Sequence, residues 1–192
     1  MKRIEALRAV VDATSDLPVI ATCAATSREL ASIEDRDNHL YLLDAMGLAV
    51  SVGTGLAQAI EGSAVLRAVV IEGDGSLLMN PGAALTAGYL RPENLVIVLL
   101  DNGVYASTAS IPTHAQQLDL GRIAEAVDLK VLQVQNTEEL ALALRQTLSE
   151  NGPWFIHART EPGNEPGIEL LLIDPVVHGD RFRRWLSQRL HA

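Results

Sequence analysis

Asp74 sits in the stretch Gly73-Asp74-Gly75-Ser76, directly after the apolar run from Ala64 to Ile71. A strand that ends in a glycine-rich turn and opens into a helix is a cradle for phosphate, because backbone N–H groups and the helix N-terminus favour anions there. A carboxylate in the middle of such a cradle repels phosphate unless a divalent cation lies between the two charges. A second oxygen ligand for that cation is available at Asn102, at the end of the next apolar run, Leu95 to Leu100. The two residues are 28 positions apart, so two consecutive strands would each deliver one oxygen at their C-terminal ends. Mg²⁺ typically takes one or two carboxylates together with phosphate oxygens, so the pattern predicts a bound metal–diphosphate. Taken alone, Asp74 also reads as an ordinary turn residue, since Asp-Gly is a common turn pair.

The elements that must position these residues alternate along the chain. Ile4 to Val11 is amphipathic and predicts a helix, and Pro18 to Thr22 a short buried strand. Ser27 to Ile33 predicts a helix capped by Ser27 or Thr26. Glu34 to Asn38 reads as a loop, and His39 to Leu43 as a further apolar run. Met46 to Ile60 predicts a helix of small residues, whose backbone could approach a ligand or another helix closely. Next come a strand over 65–72, a helix over 76–90, a strand over 95–100 and a long loop over 102–118. A helix over 119–127, a strand over 130–134, a helix over 137–149, a strand over 153–158 and a last helix from Asp180 to Leu190 complete the pattern. Buried strands alternating with helices predict an α/β fold, a doubly wound and mainly parallel sheet with helices on both faces. Ligands on such sheets bind beyond the strand C-termini, where Gly73 to Ser76 and Asn102 fall. The turn-rich stretch from Thr160 to Gly167 reads as a loop within one domain spanning 1–192.

Composition narrows the function classes. The chain has 192 residues, 48% of them hydrophobic and 20% charged, with a formal net charge of −9. No basic stripe is visible, which argues against nucleic acid. No apolar run approaches the length of a membrane span. The first residues, Met1 to Arg8, are charged and amphipathic and lack a cleavable-signal pattern, so the expected location is cytoplasmic. Cys23 is the single cysteine, which excludes an internal disulfide and reads as a buried thiol.

The arrangement Gly73-Asp74-Gly75-Ser76 followed by Asp101-Asn102-Gly103 resembles the cofactor signature of thiamine diphosphate enzymes, a Gly-Asp-Gly triplet followed by one or two asparagines. By that resemblance the Asp74 carboxylate, the Asn102 side chain and the Val104 carbonyl hold Mg²⁺ or Ca²⁺, which binds the diphosphate, and Gly73, Gly75 and Ser76 belong to the same cradle. The stretch Asp44-Ala45-Met46-Gly47 resembles the family segment whose bulky apolar residue wedges under the cofactor. Met46 takes that place, and the Asp44 carbonyl accepts from the pyrimidine amino group. Ala25-Thr26-Ser27-Arg28-Glu29-Leu30 is similar to a segment of phosphonopyruvate decarboxylases and of the sulfopyruvate decarboxylase β subunit, which adds Thr26 and Ser27 to the cofactor-binding candidates. The loop from Asn102 to Thr113 is similar to theirs and adds Tyr105. Where many members have two asparagines this chain has Asp101-Asn102, and glycines often seen before the Pro-Thr pair are here Ala109 and Ser110. The resemblance extends over roughly residues 18 to 160.

The resemblance implies the cofactor-binding, β-type half of a split 2-oxo acid decarboxylase. Carbon dioxide leaves into the electron sink of the cofactor ring and an aldehyde is released. The substrate is a small anionic 2-oxo acid. The activating glutamate belongs to a separate pyrimidine-binding, α-type subunit, since neither Glu61 nor Glu72 stands where it is needed, and the working enzyme is a hetero-oligomer. Another thiamine diphosphate reaction, carboligation or oxidation, and a non-catalytic cofactor-binding module are the alternatives. Ser107, Thr108 and His114 are candidates for the substrate pocket; each also reads as a loop residue satisfying its own backbone or facing solvent. Arg28 reads equally as a reader of anions and as a helix-surface ion pair. Gly53-Thr54-Gly55 lacks the third glycine of a dinucleotide fingerprint, because Gln58 stands there. His39, His157, His178 and His191 show no metal-ligand spacing. Trp154 and Trp185 read as packing residues.

Overall fold

Every residue of strand β4 (Leu95–Asp101) is buried, and its side chains alternate. Val96, Val98 and Leu100 enter one hydrophobic cluster, while Leu95, Ile97 and Leu99 enter another. That period-two split is the mark of a strand covered on both faces. The structure, a computed structural model, describes residues 1–190; His191 lies outside them. The chain runs α1 (Arg3–Ala13), β1 (Val19–Ala21), α2 (Ala25–Ile33), β2 (His39–Tyr41), α3 (Ala49–Ala59), β3 (Ala68–Gly73), α4 (Asp74–Met79), α5 (Gly82–Leu90) and then β4. It continues through β5 (Val104–Tyr105), β6 (Ile111–Pro112), a 3₁₀ turn (His114–Gln116), α6 (Leu120–Ala126), β7 (Lys130–Val134), α7 (Thr137–Ser149), β8 (Trp154–Arg159) and α8 (Pro175–Leu190). Six strands form one parallel sheet in the order β2-β1-β3-β4-β8-β7.

The two clusters sort the helices. Leu7 and Val10 of α1, Leu30 of α2 and Leu140 and Leu144 of α7 cover one face; Val50 of α3, Ala87 of α5 and Ala124 of α6 cover the other. The doubly wound α/β expectation therefore holds. Trp154 and Trp185 are both buried. Among the described residues no helix is long and apolar enough to cross a membrane. The small residues of α3 serve the sheet: a Cβ on Gly53 would stand 2.0 Å from Val70 Cγ2 of β3.

Several boundaries differ from the sequence expectation, each for a local reason. The helix expected over 76–90 is two helices, because Pro81 has no N–H to donate and disfavours helical geometry at Asn80, which sits at φ −145° and ψ 68°. The helix expected from Met46 starts at Ala49. Gly47, at φ +76°, turns the chain instead; its N–H donates to Ser76 Oγ at 2.8 Å and its carbonyl accepts from Asn80 Nδ2 at 2.9 Å. Thr26 and Ser27 do not cap α2. They lie inside its first turn behind Ala24, and the Ser27 hydroxyl donates back to the Thr22 carbonyl at 2.6 Å. The loop over 102–118 carries the antiparallel ribbon β5–β6 and the 3₁₀ turn, and α8 starts at Pro175 rather than Asp180.

Candidate functional site

The strand order reverses at β1: β2 lies on one side of it and β3 on the other. Beyond the C-terminal ends of strands at such a reversal the connections part and leave a crevice. Here the crevice is lined by Thr22, Cys23 and Thr26 after β1, by Gly73 to Ser76 after β3, and by Asn102, Val104 and Tyr105 after β4. Met46 and Ser107 reach it as well. The helices entering it, α2 and α4, have Ala24 and Gly73 as N-caps, and neither has a side-chain cap. Their first-turn N–H groups are thus left for other acceptors.

Asp74 is the first residue of α4 and is 2% exposed. Its Oδ2 accepts from the Thr113 hydroxyl at 2.6 Å. Burial pushes its carboxyl above the usual carboxylate range; the Thr113 hydroxyl opposes the shift, the nearby Asp101 charge adds to it, and the amides of Asn102 and Gly75 oppose it. Asp101 is buried too but is neutralised. His157 Nε2 lies 2.7 Å and Arg159 Nη1 2.7 Å from its Oδ2, while its Oδ1 accepts from the Gly103 N–H at 3.0 Å. Among the described residues Asp74 has hydroxyl and amide donors only, which leaves this buried carboxylate in the crevice without a counter-charge there. A hard divalent cation with oxygen ligands fits that deficit. Among the described residues no group of three or more His, Cys, Asp or Glu could hold a metal; a cation here would draw on an amide oxygen and a carbonyl instead.

The loop after β4 is held by several bonds of its own. Gly103 takes φ +69°, and its carbonyl accepts from the Thr113 N–H and from Gln116 Nε2. Asn102 Oδ1 accepts from the Val104 N–H at 3.0 Å. The Tyr105 ring packs against Gly75: a Cβ there would meet its Cδ1 and Cε1 at 2.7 and 2.8 Å. Ser76 Oγ joins the three walls, accepting from Gly47 N–H and lying 2.9 Å from Thr22 Oγ1. Asp44 is held at φ +54° on the approach to Met46.

The structure thus gathers Thr26, Met46, Gly73, Asp74, Gly75, Ser76, Asn102, Val104, Tyr105 and Ser107 around one crevice. Asp44 and Ser27 line an adjoining groove. Ala45 and Gly47 lie on the turn beside them. Thr108 and His114 are not among the residues lining either space. The Thr108 hydroxyl donates to the Tyr105 carbonyl at 3.0 Å, and His114 is exposed on the 3₁₀ turn. Cys23 is buried, and burial followed by the Glu72 charge pushes its thiol up. Three features escaped the sequence. Thr113 reaches Asp74 from 39 positions away. The Asp101–His157–Arg159 set depends on the β4–β8 register, which pairs Leu99 with His157 and Asp101 with Arg159. Glu72 is fully buried at the end of β3, with Oε1 accepting from the Gly73 N–H and Oε2 without a partner.

Residues 22–158 match the family described as thiamine pyrophosphate enzyme, C-terminal TPP binding domain. The chain belongs to this family. Among relatives, it is 43% identical to the sulfopyruvate decarboxylase subunit beta of Methanothermobacter thermautotrophicus, over 88% of this chain and 89% of that one. It is 35% identical to the phosphonopyruvate decarboxylase of Streptomyces viridochromogenes, over 96% of this chain but 46% of that protein. The chain therefore spans about half the length of that relative and nearly all of the first. The thiamine diphosphate-dependent 4-hydroxybenzoylformate decarboxylase of Rhodococcus jostii RHA1 superposes with a TM-score of 0.72 at 18% identity, over 86% of this chain and 33% of that one. That likeness bears on the fold alone.

Proposed function

We propose that the chain is the cofactor-binding subunit of a split, thiamine diphosphate- and Mg²⁺-dependent decarboxylase of small anionic 2-oxo acids such as sulfopyruvate or phosphonopyruvate. The observation that carries this reading is the buried Asp74 at the start of α4, without a cationic partner among the described residues, in a crevice also lined by Asn102 just past the end of the neighbouring strand. Similarity to proteins named as beta subunits supports the split reading.

In this reading the Asp74 carboxylate, Asn102 Oδ1 and the Val104 carbonyl hold Mg²⁺. The first-turn amides of α4 at Gly75 and Ser76, and Thr26 and Ser27 at the start of α2, take the diphosphate oxygens. Met46 supports the cofactor from below, and the Asp44 carbonyl accepts from the pyrimidine amino group. When bound, thiamine diphosphate supplies the electron sink for loss of carbon dioxide. Thr113 fixes the Asp74 rotamer by donating to one oxygen, which leaves the other for the cation. Tyr105 over Gly75 closes one side of the crevice against water. The activating carboxylate comes from a pyrimidine-binding α-type partner, so the working enzyme is a hetero-oligomer.

The test is co-expression with a pyrimidine-binding subunit and measurement of carbon dioxide and aldehyde from sulfopyruvate, phosphonopyruvate and pyruvate. Turnover is expected only with partner, cofactor and Mg²⁺ together. Full turnover by the isolated chain would sink the split-enzyme reading, and EDTA-insensitive cofactor binding would sink the metal assignment.

A further inference from the structure

The crevice does not end at Ser107. Ala24, Ala106 and Ser107 also line a second groove of about 900 Å³. One cation lines this groove, Arg28, on the first turn and a half of α2. Sequence alone allows it a helix-surface ion pair, but it forms none among the described residues. The adjacent carboxylate, Glu29, is committed elsewhere: Arg3 Nε and Nη2 lie 3.0 and 2.5 Å from its two oxygens, and the Glu165 N–H donates to it at 3.1 Å. Asp44, the one carboxylate lining the groove, forms no ion pair among the described residues. Arg3, the other cation reaching the crevice, is neutralised by Glu29. Arg28 is thus the cation at the joined cavities that lacks a counter-charge. The same groove is lined by the Ser107 hydroxyl and by the Asn164 amide, whose Oδ1 accepts from Arg3 and whose NH₂ has no acceptor among the described residues.

The chemistry of the proposed reaction says where such a cation belongs. A carboxylate that is to leave as carbon dioxide is best placed away from cations, since an ion pair there stabilises the ground state more than the transition state. A cation therefore belongs with the far end of the substrate. A guanidinium presents parallel N–H donors that match two oxygens of a tetrahedral sulfonate or phosphonate. We infer that Arg28, with Ser107 and Asn164, forms the specificity subsite for the distal sulfonate or phosphonate of the 2-oxo acid, in the side groove away from the reacting carbon.

This inference rests on the decarboxylase reading, and its experiment separates the two. In the assembled enzyme, Arg28→Gln is expected to lower the ratio of kcat/KM for sulfopyruvate over that for pyruvate by about ten- to a hundredfold, the range of one charge-assisted hydrogen-bonded contact. The loss falls mainly on KM, and Arg28→Lys recovers part of it. Calorimetric affinity for thiamine diphosphate with Mg²⁺ stays at the wild-type value. Independently of turnover, sulfoacetate is titrated into the holo-complex; it binds the wild type and binds Arg28→Gln at least tenfold more weakly. An unchanged substrate ratio, or equal sulfoacetate affinity in both proteins, would overturn the assignment. If the wild type turns over none of the substrates yet binds sulfoacetate through Arg28, the subsite stands and the decarboxylase reading fails.

Discussion

Asp101 stands where thiamine diphosphate enzymes often carry asparagine, so Asp101→Asn is the mildest change available in volume and one of the most revealing. The carboxylate is 1% exposed and serves three donors. Oδ2 faces His157 Nε2 and Arg159 Nη1, both at 2.7 Å, and Oδ1 accepts from the Gly103 N–H. An asparagine can keep the Gly103 bond with its carbonyl oxygen. Its amide nitrogen then faces the Arg159 donor, and can donate to His157 Nε2 only if the imidazole changes tautomer, so both charge-assisted contacts are lost. The buried contact to His157 is worth about 1.5–3 kcal/mol. Arg159 is half exposed, so its ion pair adds only about 0.2–1 kcal/mol after solvent screening. The expected destabilisation is about 2–4 kcal/mol. With a urea m-value of about 2–3 kcal/mol/M, the unfolding midpoint drops by roughly 1 M. Asp101→Leu removes the Gly103 bond as well, which frees the turn that aims Asn102 and the Val104 carbonyl. The leucine variant should lose Mg²⁺-linked cofactor affinity, measured by calorimetry, well beyond any loss in the asparagine variant. A midpoint for Asp101→Asn within 0.2 M of wild type (on the order of the extrapolation error) would show that the carboxylate charge is not what holds β4 to β8. Equal cofactor affinity in both variants would show that the Gly103 bond does not govern the loop.

Asp74→Asn removes a buried charge that lacks a cationic partner, so the cofactor-free protein should gain about 1 kcal/mol, seen as a higher urea midpoint. The same variant should lose the rise in melting temperature that thiamine diphosphate and Mg²⁺ give the wild type. Gly75→Ala drives a methyl into the Tyr105 ring at 2.7 Å; cofactor affinity should fall about tenfold, as expected for an overpacked site, and Tyr105→Ala in the same chain should restore part of it. Two histidines predict acid sensitivity. Burial, reinforced by Arg36, pushes His39 from 6.5 down to about 4. Burial, reinforced by Arg181, also lowers His178, whose Nε2 accepts from the Tyr41 N–H at 2.9 Å. Both are neutral in the fold, so the unfolded chain takes up protons first: stability is full above pH 6.5 and drains as the pH falls toward 4. His39 alone costs about 2 kcal/mol by pH 5. A urea midpoint that stays flat from pH 7.5 to 5, or that His39→Gln leaves equally pH-dependent, would refute this.

The candidate site residues were legible because their signals are local. A run of buried apolar residues ending in Gly73-Asp74-Gly75 announces a strand, a turn and a helix start without reference to anything distant. The same holds for Leu95 to Asn102, and for the helix over 137–149, which the structure shows as α7 capped by Asn136 Oδ1 accepting from the Glu139 N–H. The break at Pro81 has an equally local cause, but the helix expected over 76–90 passed over it. The late start of α3 was not legible, because it follows from a tertiary contact, the hold of Ser76 and Asn80 on Gly47.

Periodicity could specify that Asp74 and Asn102 end neighbouring strands of a covered parallel sheet, since hydrophobic alternation and backbone conformation depend on residues a few positions apart. It could not say that β8 inserts between β4 and β7, because strand order depends on which crossovers bury the most apolar surface. That insertion sets His157 and Arg159 beside Asp101, and the fold of the loop sets Thr113 on Asp74. Whether a buried charge is balanced or left to a cation is an electrostatic property of such assembled neighbours, so the neutrality of Asp101 and the deficit at Asp74 were decided by the tertiary structure alone.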